Sequence, residues 1–161
     1  MINVRQVIRG TRFVAVLAAA LAISACAKND TENSQANAGA MATPGSQQDF
    51  LVNVGDRVWF ETDSSELSAK SRETLDKQAQ WLTNYNRYAF TIEGHADERG
   101  TREYNLALGQ RRSEAVRSAL KLLGVQDSQI EAVSFGKEKP VDPGSTEEAW
   151  AKNRRAEIVY R

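Results

Sequence analysis

The run Gly94-His95-Ala96-Asp97-Glu98-Arg99-Gly100 is the densest cluster of reactive polar groups in the chain. It falls between a strand-like and a helix-like segment, and loops at strand ends of a sheet are favoured ligand sites. Downstream, Asn105, Leu108, Arg112, Ala115 and Ala119 recur at helical spacing. Arg112 therefore sits on or beside the stripe that packs inward, while Arg111 points about 100° away. An arginine near an apolar face needs an anion. Asp97 either fills that role in a structural ion pair or leaves it to a ligand.

His95 is the only histidine, and strand alternation puts it on the same side as Glu93. With Asp97 these residues suggest a hydrolytic trio. A general base alone makes no enzyme, however, and neither a nucleophile pairing nor a Cys/His metal spacing accompanies it. The residues alone therefore argue against an enzyme, and no cofactor is expected.

The elements that position this cluster alternate between strand and helix. Arg57-Val58-Trp59-Phe60 reads as a short strand. Ser68 is placed to cap a helix to about Asn84, with Leu75, Ala79 and Leu82 on one stripe. Phe90 and Ile92 alternate with Thr91 and Glu93 in a second strand. Thr101 caps a longer helix to Leu123, where Gly124 stops it. A third strand covers Ile130 to Phe135. A loop with Pro140, Pro143 and Gly144 leads to a short helix over Thr146 to Lys152, and Ala156, Ile158 and Tyr160 alternate in a closing strand. This order predicts an α+β domain with helices packed on one face of a mixed four-stranded sheet.

The chain carries 21 basic and 21 acidic residues and one cysteine, Cys26. Ahead of Cys26 lie Arg5, Arg9 and Arg12, no acid, and the apolar run Phe13 to Ile23. A basic start, a short apolar middle and small residues at the end form a secretory signal, expected at 1–25. The apolar run is about half the roughly 20 residues a membrane-spanning helix needs. Its removal takes three arginines, leaving 18 basic against 21 acidic residues, or −3 with His neutral. That balance excludes a nucleic-acid or anionic-lipid binder working by bulk positive charge.

Residues 27–48 hold small and polar side chains, with Met41 as the one large apolar exception. Such a stretch cannot offset its chain entropy, so 26–48 is expected to be a disordered tether, typically roughly 26 Å from end to end. Residues 49–161 suffice for one compact domain with its own core.

Two resemblances extend this reading. Ile23-Ser24-Ala25-Cys26 resembles the lipobox of bacterial lipoproteins, which implies that Cys26 is acylated, with chains such as palmitate, and becomes the mature N-terminus. An ordinary cut after Ala25 with a free thiol is the alternative. Ala27 after the cysteine favours the outer membrane, by likeness to sorted lipoproteins.

The run IEGHADERGTREYNLALGQRRSEAV, residues 92–116, resembles the signature of the OmpA-like peptidoglycan-binding domain. The match continues through Lys152-Asn153-Arg154-Arg155-Ala156 and covers essentially the whole folded region. It implies binding of meso-diaminopimelate in peptidoglycan stem peptides, with Asp97 accepting the side-chain ammonium and Arg112 clamping the neighbouring carboxylate. Asn105 and Arg154 are implied as further polar partners, and Leu108 and Phe60 as apolar wall.

Gly109 stands where many such domains have Ser, with little consequence expected. Glu61 and Thr62 depart from the usual pattern and leave that wall open. Lipoproteins carrying this domain also engage the TolB propeller, in the Tol system of envelope integrity and cell division. The implied place is the periplasmic face of the outer membrane, lipid-anchored. An OmpA-like lipoprotein outside the Tol system, or a periplasmic wall hydrolase, are the rival readings.

Overall fold

The computed structural model describes residues 42–161. The leader at 1–25, Cys26 and the tether as far as Met41 lie outside the described residues. Among the described residues, no helix is long and apolar enough to cross a membrane.

Seven of the elements are those the side-chain pattern predicts. Strand β1 is Arg57–Trp59, helix α2 Ala69–Asn84, β2 Phe90–His95, α3 Arg102–Leu122, β3 Ile130–Gly136, α4 Glu147–Asn153 and β4 Arg155–Tyr160. The caps explain the starts. Ser68, Thr101 and Thr146 each turn a side-chain oxygen onto the third backbone N–H of the helix they open. Gly124, at φ +97, follows α3 where a left-handed residue is needed to leave the helix.

The sheet order is β1-β4-β2-β3, with β2 and β3 parallel and both other pairs antiparallel. Alternation along the strands sends Val58, Phe90, Ile92, Ile130, Ala156 and Ile158 into the core, where they meet Leu75, Ala79 and Leu82 of α2 and Val116 and Leu120 of α3. Fully burying one such side chain contributes about 1.5–3 kcal/mol.

The inward stripe of α3 differs from the spacing expected. Asn105, Leu108 and Arg112 are buried, but further along Val116 and Leu120 face the sheet while Ala115 and Ala119 are half-buried. The larger apolar side chains take the core, and the alanines border a groove towards α2.

The ordered head begins before Asp49, so the boundary expected at 48/49 is late. A three-residue helical turn, α1, spans Gln47–Asp49 and runs into a π-helical turn at Phe50–Val54. Phe50 is fully buried, 5.0 Å from the Trp81 ring and 5.7 Å from Phe90. Asp49 accepts from the Trp81 indole and the Gly45 N–H, both at 2.8 Å. The Gly45 carbonyl accepts from Tyr88 Oη at 2.9 Å and Arg87 Nη2 at 3.1 Å. An element this short has no period to read, and the polar look of 43–48 hides a strap held by hydrogen bonds.

Two glycines let helix and strand approach closely. A Cβ on Gly94 of β2 would lie 1.8 Å from the Gly109 carbonyl oxygen, and one on Gly109 would meet Ser134 Oγ at 2.3 Å. Helix α3 therefore rests on β2 backbone to backbone. The expectation that Gly109 carries little consequence is corrected, because a Ser there has no room without moving α3.

Candidate functional site

A β-bulge at Gly94/His95 ends the regular β2 pairing, and the next residues form a loop ahead of the α3 N-terminus. There, Thr62, Asp63, Asp97, Arg99, Gly100, Tyr104, Asn105 and Leu108 line a cavity of about 280 Å³. Three of the residues expected from sequence meet in it: Asp97, Asn105 and Leu108. Phe60, Arg112 and Arg154 do not line it and stand behind it, all three buried.

Asp97 and Arg112 are not directly bonded. Asp97 Oδ1 accepts from the Arg99 backbone N–H and Arg99 Nε, both at 3.1 Å, and Oδ2 accepts from Arg99 Nη2 at 2.8 Å and Arg154 Nη1 at 3.5 Å. Burial pushes the Asp97 carboxyl up, but the Arg99 bonds and the cations around it outweigh that and hold it below the usual carboxylate range. It is a carboxylate at neutral pH.

Arg112 is fully buried. Its Nε donates to Ser64 O and Nη1 to His95 O, both at 2.8 Å, while Nη2 donates to Glu61 O at 3.0 Å. The Phe60 ring lies 5.2 Å beneath the guanidinium. Burial lowers its pKa to about 10, opposed by the Asp97 charge, so it stays a cation. Three of its five N–H groups are thus spent on carbonyls of the loop between β1 and α2 and of the β2 end. Arg154 does similar work, donating to Phe60 O at 3.2 Å and Glu147 Oε1 at 2.8 Å.

Asn105 turns its amide onto Arg99 O at 2.8 Å and shapes the loop from within the wall. Thr62 lines the cavity. Glu61 instead offers its carbonyl to Arg112 and borders a neighbouring groove of about 500 Å³ beside Phe60 and Arg154.

Sequence reasoning missed Asp63, Arg99 and Tyr104 as lining. Arg99 had a signal, since it lies two residues from Asp97 in the same loop. Its guanidinium also stacks on Trp150 at 4.2 Å and reaches Glu147 Oε2 at 3.9 Å. Asp63 had none: it takes a left-handed φ of +55, alone among the described non-glycine residues, and hydrogen-bonds Tyr104 Oη. The cavity thus presents two carboxylates and one guanidinium, with the guanidiniums of Arg112 and Arg154 behind.

His95 and Glu93 do share a side of the sheet, with Nε2 to Oε2 at 3.5 Å, but on the face away from the helices. His95 is 1% exposed and stacks on Phe135 at 5.8 Å. Burial, aided by Arg155, drops its pKa to about 4. Asp97 lies in the loop beyond β2, bonded to Arg99 and Arg154, so the hydrolytic trio is not assembled. What His95 supplies to the site is its carbonyl. No group of His, Cys, Asp and Glu suited to a metal occurs among the described residues.

An α+β scaffold presenting a small, charge-complementary cavity at one sheet end has the form of a ligand-binding domain. The OmpA family pattern matches residues 59–154. A peptidoglycan-associated lipoprotein of Mesorhizobium japonicum is 53% identical over 87% of this chain and 86% of its own length. The crystal structure of the peptidoglycan-associated lipoprotein from Burkholderia pseudomallei is 53% identical with a TM-score of 0.64, covering 66% of this chain and 90% of that one. The C-terminal domain of Helicobacter pylori MotB shares the fold at 23% identity and TM-score 0.62, over 66% of this chain and 84% of that one. The chain belongs to the OmpA family and, within it, to the peptidoglycan-associated lipoproteins.

Proposed function

We propose that this chain binds peptidoglycan non-covalently by taking the meso-diaminopimelate of a stem peptide into the cavity beside Asp97. The observation that carries the reading is the charge layout: ionised Asp97 on the wall, Asp63 near it, Arg99 across it and Arg112 buried behind. A diaminopimelate side chain ends in an ammonium and a carboxylate on one carbon, and this layout complements both. Asp97 takes the ammonium. Arg112, behind the wall, draws the carboxylate through its charge, and Arg99 at the rim supplies the donors. Lysine in the same peptide position lacks that carboxylate and leaves the cations without their partner.

The same reading holds the chain at the outer membrane. Cys26 carries the lipid, the segment before Ala42 bridges the gap, and the head grips the wall without cutting it. Within the Tol-Pal system the head would also meet TolB, which pull-down from envelope extract tests against an OmpA-like lipoprotein outside that system.

Incubation of the full chain with purified sacculi tests the binding reading. Co-sedimentation without release of soluble fragments is expected, and released muropeptides would favour a hydrolase. Cys26→Ser should leave the protein in the soluble periplasmic fraction or uncleaved. If that variant still fractionates with outer membrane, the anchor is misassigned.

A further inference from the structure

Lys137 lies in the turn after β3, outside the cavity lining, and its Nζ reaches two carbonyls of the ligand loop. It donates to Glu98 O at 3.1 Å and Gly100 O at 2.7 Å. The carbonyl between them, Arg99 O, takes the Asn105 amide. One step earlier, Ala96 N donates to Gly136 O at 2.8 Å. Past the end of the β2 ladder, three successive carbonyls are therefore held by side chains from the β3 turn and α3.

The turn fits this position because Gly136 has φ +51 and no side chain. A Cβ there would meet Leu106 N at 2.9 Å and Asn105 C at 3.0 Å. Seated against the first turn of α3, it brings an ammonium level with the loop. A compact ammonium with three donors can serve two converging carbonyls at once.

We propose that Lys137 is a positioning residue of the ligand site. Its ammonium sets the path of Glu98–Gly100, and through it the placement of Arg99 and of the Asp97–Arg99 pair at the cavity. The proposal rests on the peptidoglycan reading for the identity of the ligand, though not for the loop geometry. Without Lys137 the two carbonyls turn to water, the loop gains conformations, and a ligand must reorder it on binding.

The test is calorimetric titration of the full chain in detergent with a diaminopimelate stem tripeptide, together with amide hydrogen exchange of the ligand-free protein. Lys137→Met keeps the apolar stem and removes the donors. It should bind about tenfold more weakly, with faster exchange at Glu98 to Thr101 and unchanged exchange at Ile92. Lys137→Arg should recover most of the affinity, since its fork can also span two carbonyls. The defect should persist in about 0.5 M salt, where long-range attraction is screened.

Parent-like affinity, unaltered loop exchange, or a defect that disappears in salt would each overturn the proposal. Should the parent itself fail to bind the tripeptide, the ligand reading falls, and exchange in the loop still decides whether Lys137 holds it.

Discussion

The two ends of this domain are held by different physics. At the end near α1, Phe50, Trp81, Phe90 and Tyr160 interlock, with Phe90 and Tyr160 rings 4.4 Å apart, and apolar burial dominates. At the cavity end, Arg112 and Arg154 thread through loops that own few apolar contacts, and bonds from guanidinium to carbonyl and carboxylate replace them. An apolar end can lose a side chain and still leave the far loops in register. A charged end cannot, because each guanidinium joins several segments, so stability and ligand geometry there are one property. Arg112 lies within that scaffold.

The largest expected effect breaks the charged end. Arg112→Ala orphans three carbonyls, two of them in the loop between β1 and α2 that borders the cavity, and should lower stability by about 3–5 kcal/mol in denaturant titration. Arg111→Ala, exposed and turned towards Tyr104, should change it by under about 0.5 kcal/mol. At the apolar end, Phe50→Ala should cost a similar 3–5 kcal/mol or about that through a cavity, yet the fraction that remains folded should bind stem peptide as the parent does. Loss of ligand affinity in folded Phe50→Ala would show that the two ends are not separable.

A smaller effect follows from His95, buried at the cavity end of β2 on the sheet face away from the helices. Its pKa in the fold is about 4 against an ordinary 6.5, so between those values the unfolded chain takes a proton the folded one refuses. Its stabilising contribution is complete above about pH 6.5 and declines as pH falls towards 4, by roughly 2–4 kcal/mol. Chemical denaturation between pH 7 and 4.5 should show the decline, and His95→Gln should flatten it. A parent with level stability over that window would mean that His95 is not sealed from water.

Gly109→Ser tests the seat of α3 on β2 and should cost about 1–3 kcal/mol by overpacking. The N-terminal strap sets the smallest contrast. Deleting 27–41 should leave the melting temperature unchanged, whereas deleting 27–46 removes the Gly45 bonds and should lower it by several degrees. Equal melting temperatures would place the strap outside the stabilising contacts.

Most of the scaffold was legible because its elements are long enough to show a period and are opened by Ser68, Thr101 and Thr146, whose capping chemistry is local. The strap at 43–54 was not, since three helical residues and a π-helical turn repeat nothing. In the cavity, Asp97, Asn105 and Leu108 could be placed from motif and helical spacing. Asp63 and Tyr104 come together across the fold, and although Asp tolerates a left-handed conformation, its type does not require one. Arg112 was found as an inward arginine, but its partners are backbone carbonyls, which every residue carries and no sequence pattern marks. Gly109 looked incidental for the same reason: the backbone it touches is 15 residues away.

The central claim is that the cavity reads a diaminopimelate zwitterion through Asp97. Calorimetric titration of the full chain with two stem tripeptides, alike except for diaminopimelate or lysine at the third position, tests it most directly. The account predicts saturable binding of the diaminopimelate peptide, at least about tenfold weaker binding of the lysine peptide, and loss of the difference in folded Asp97→Ala. Equal affinity for the two peptides, or an Asp97→Ala protein that still prefers diaminopimelate, would contradict it.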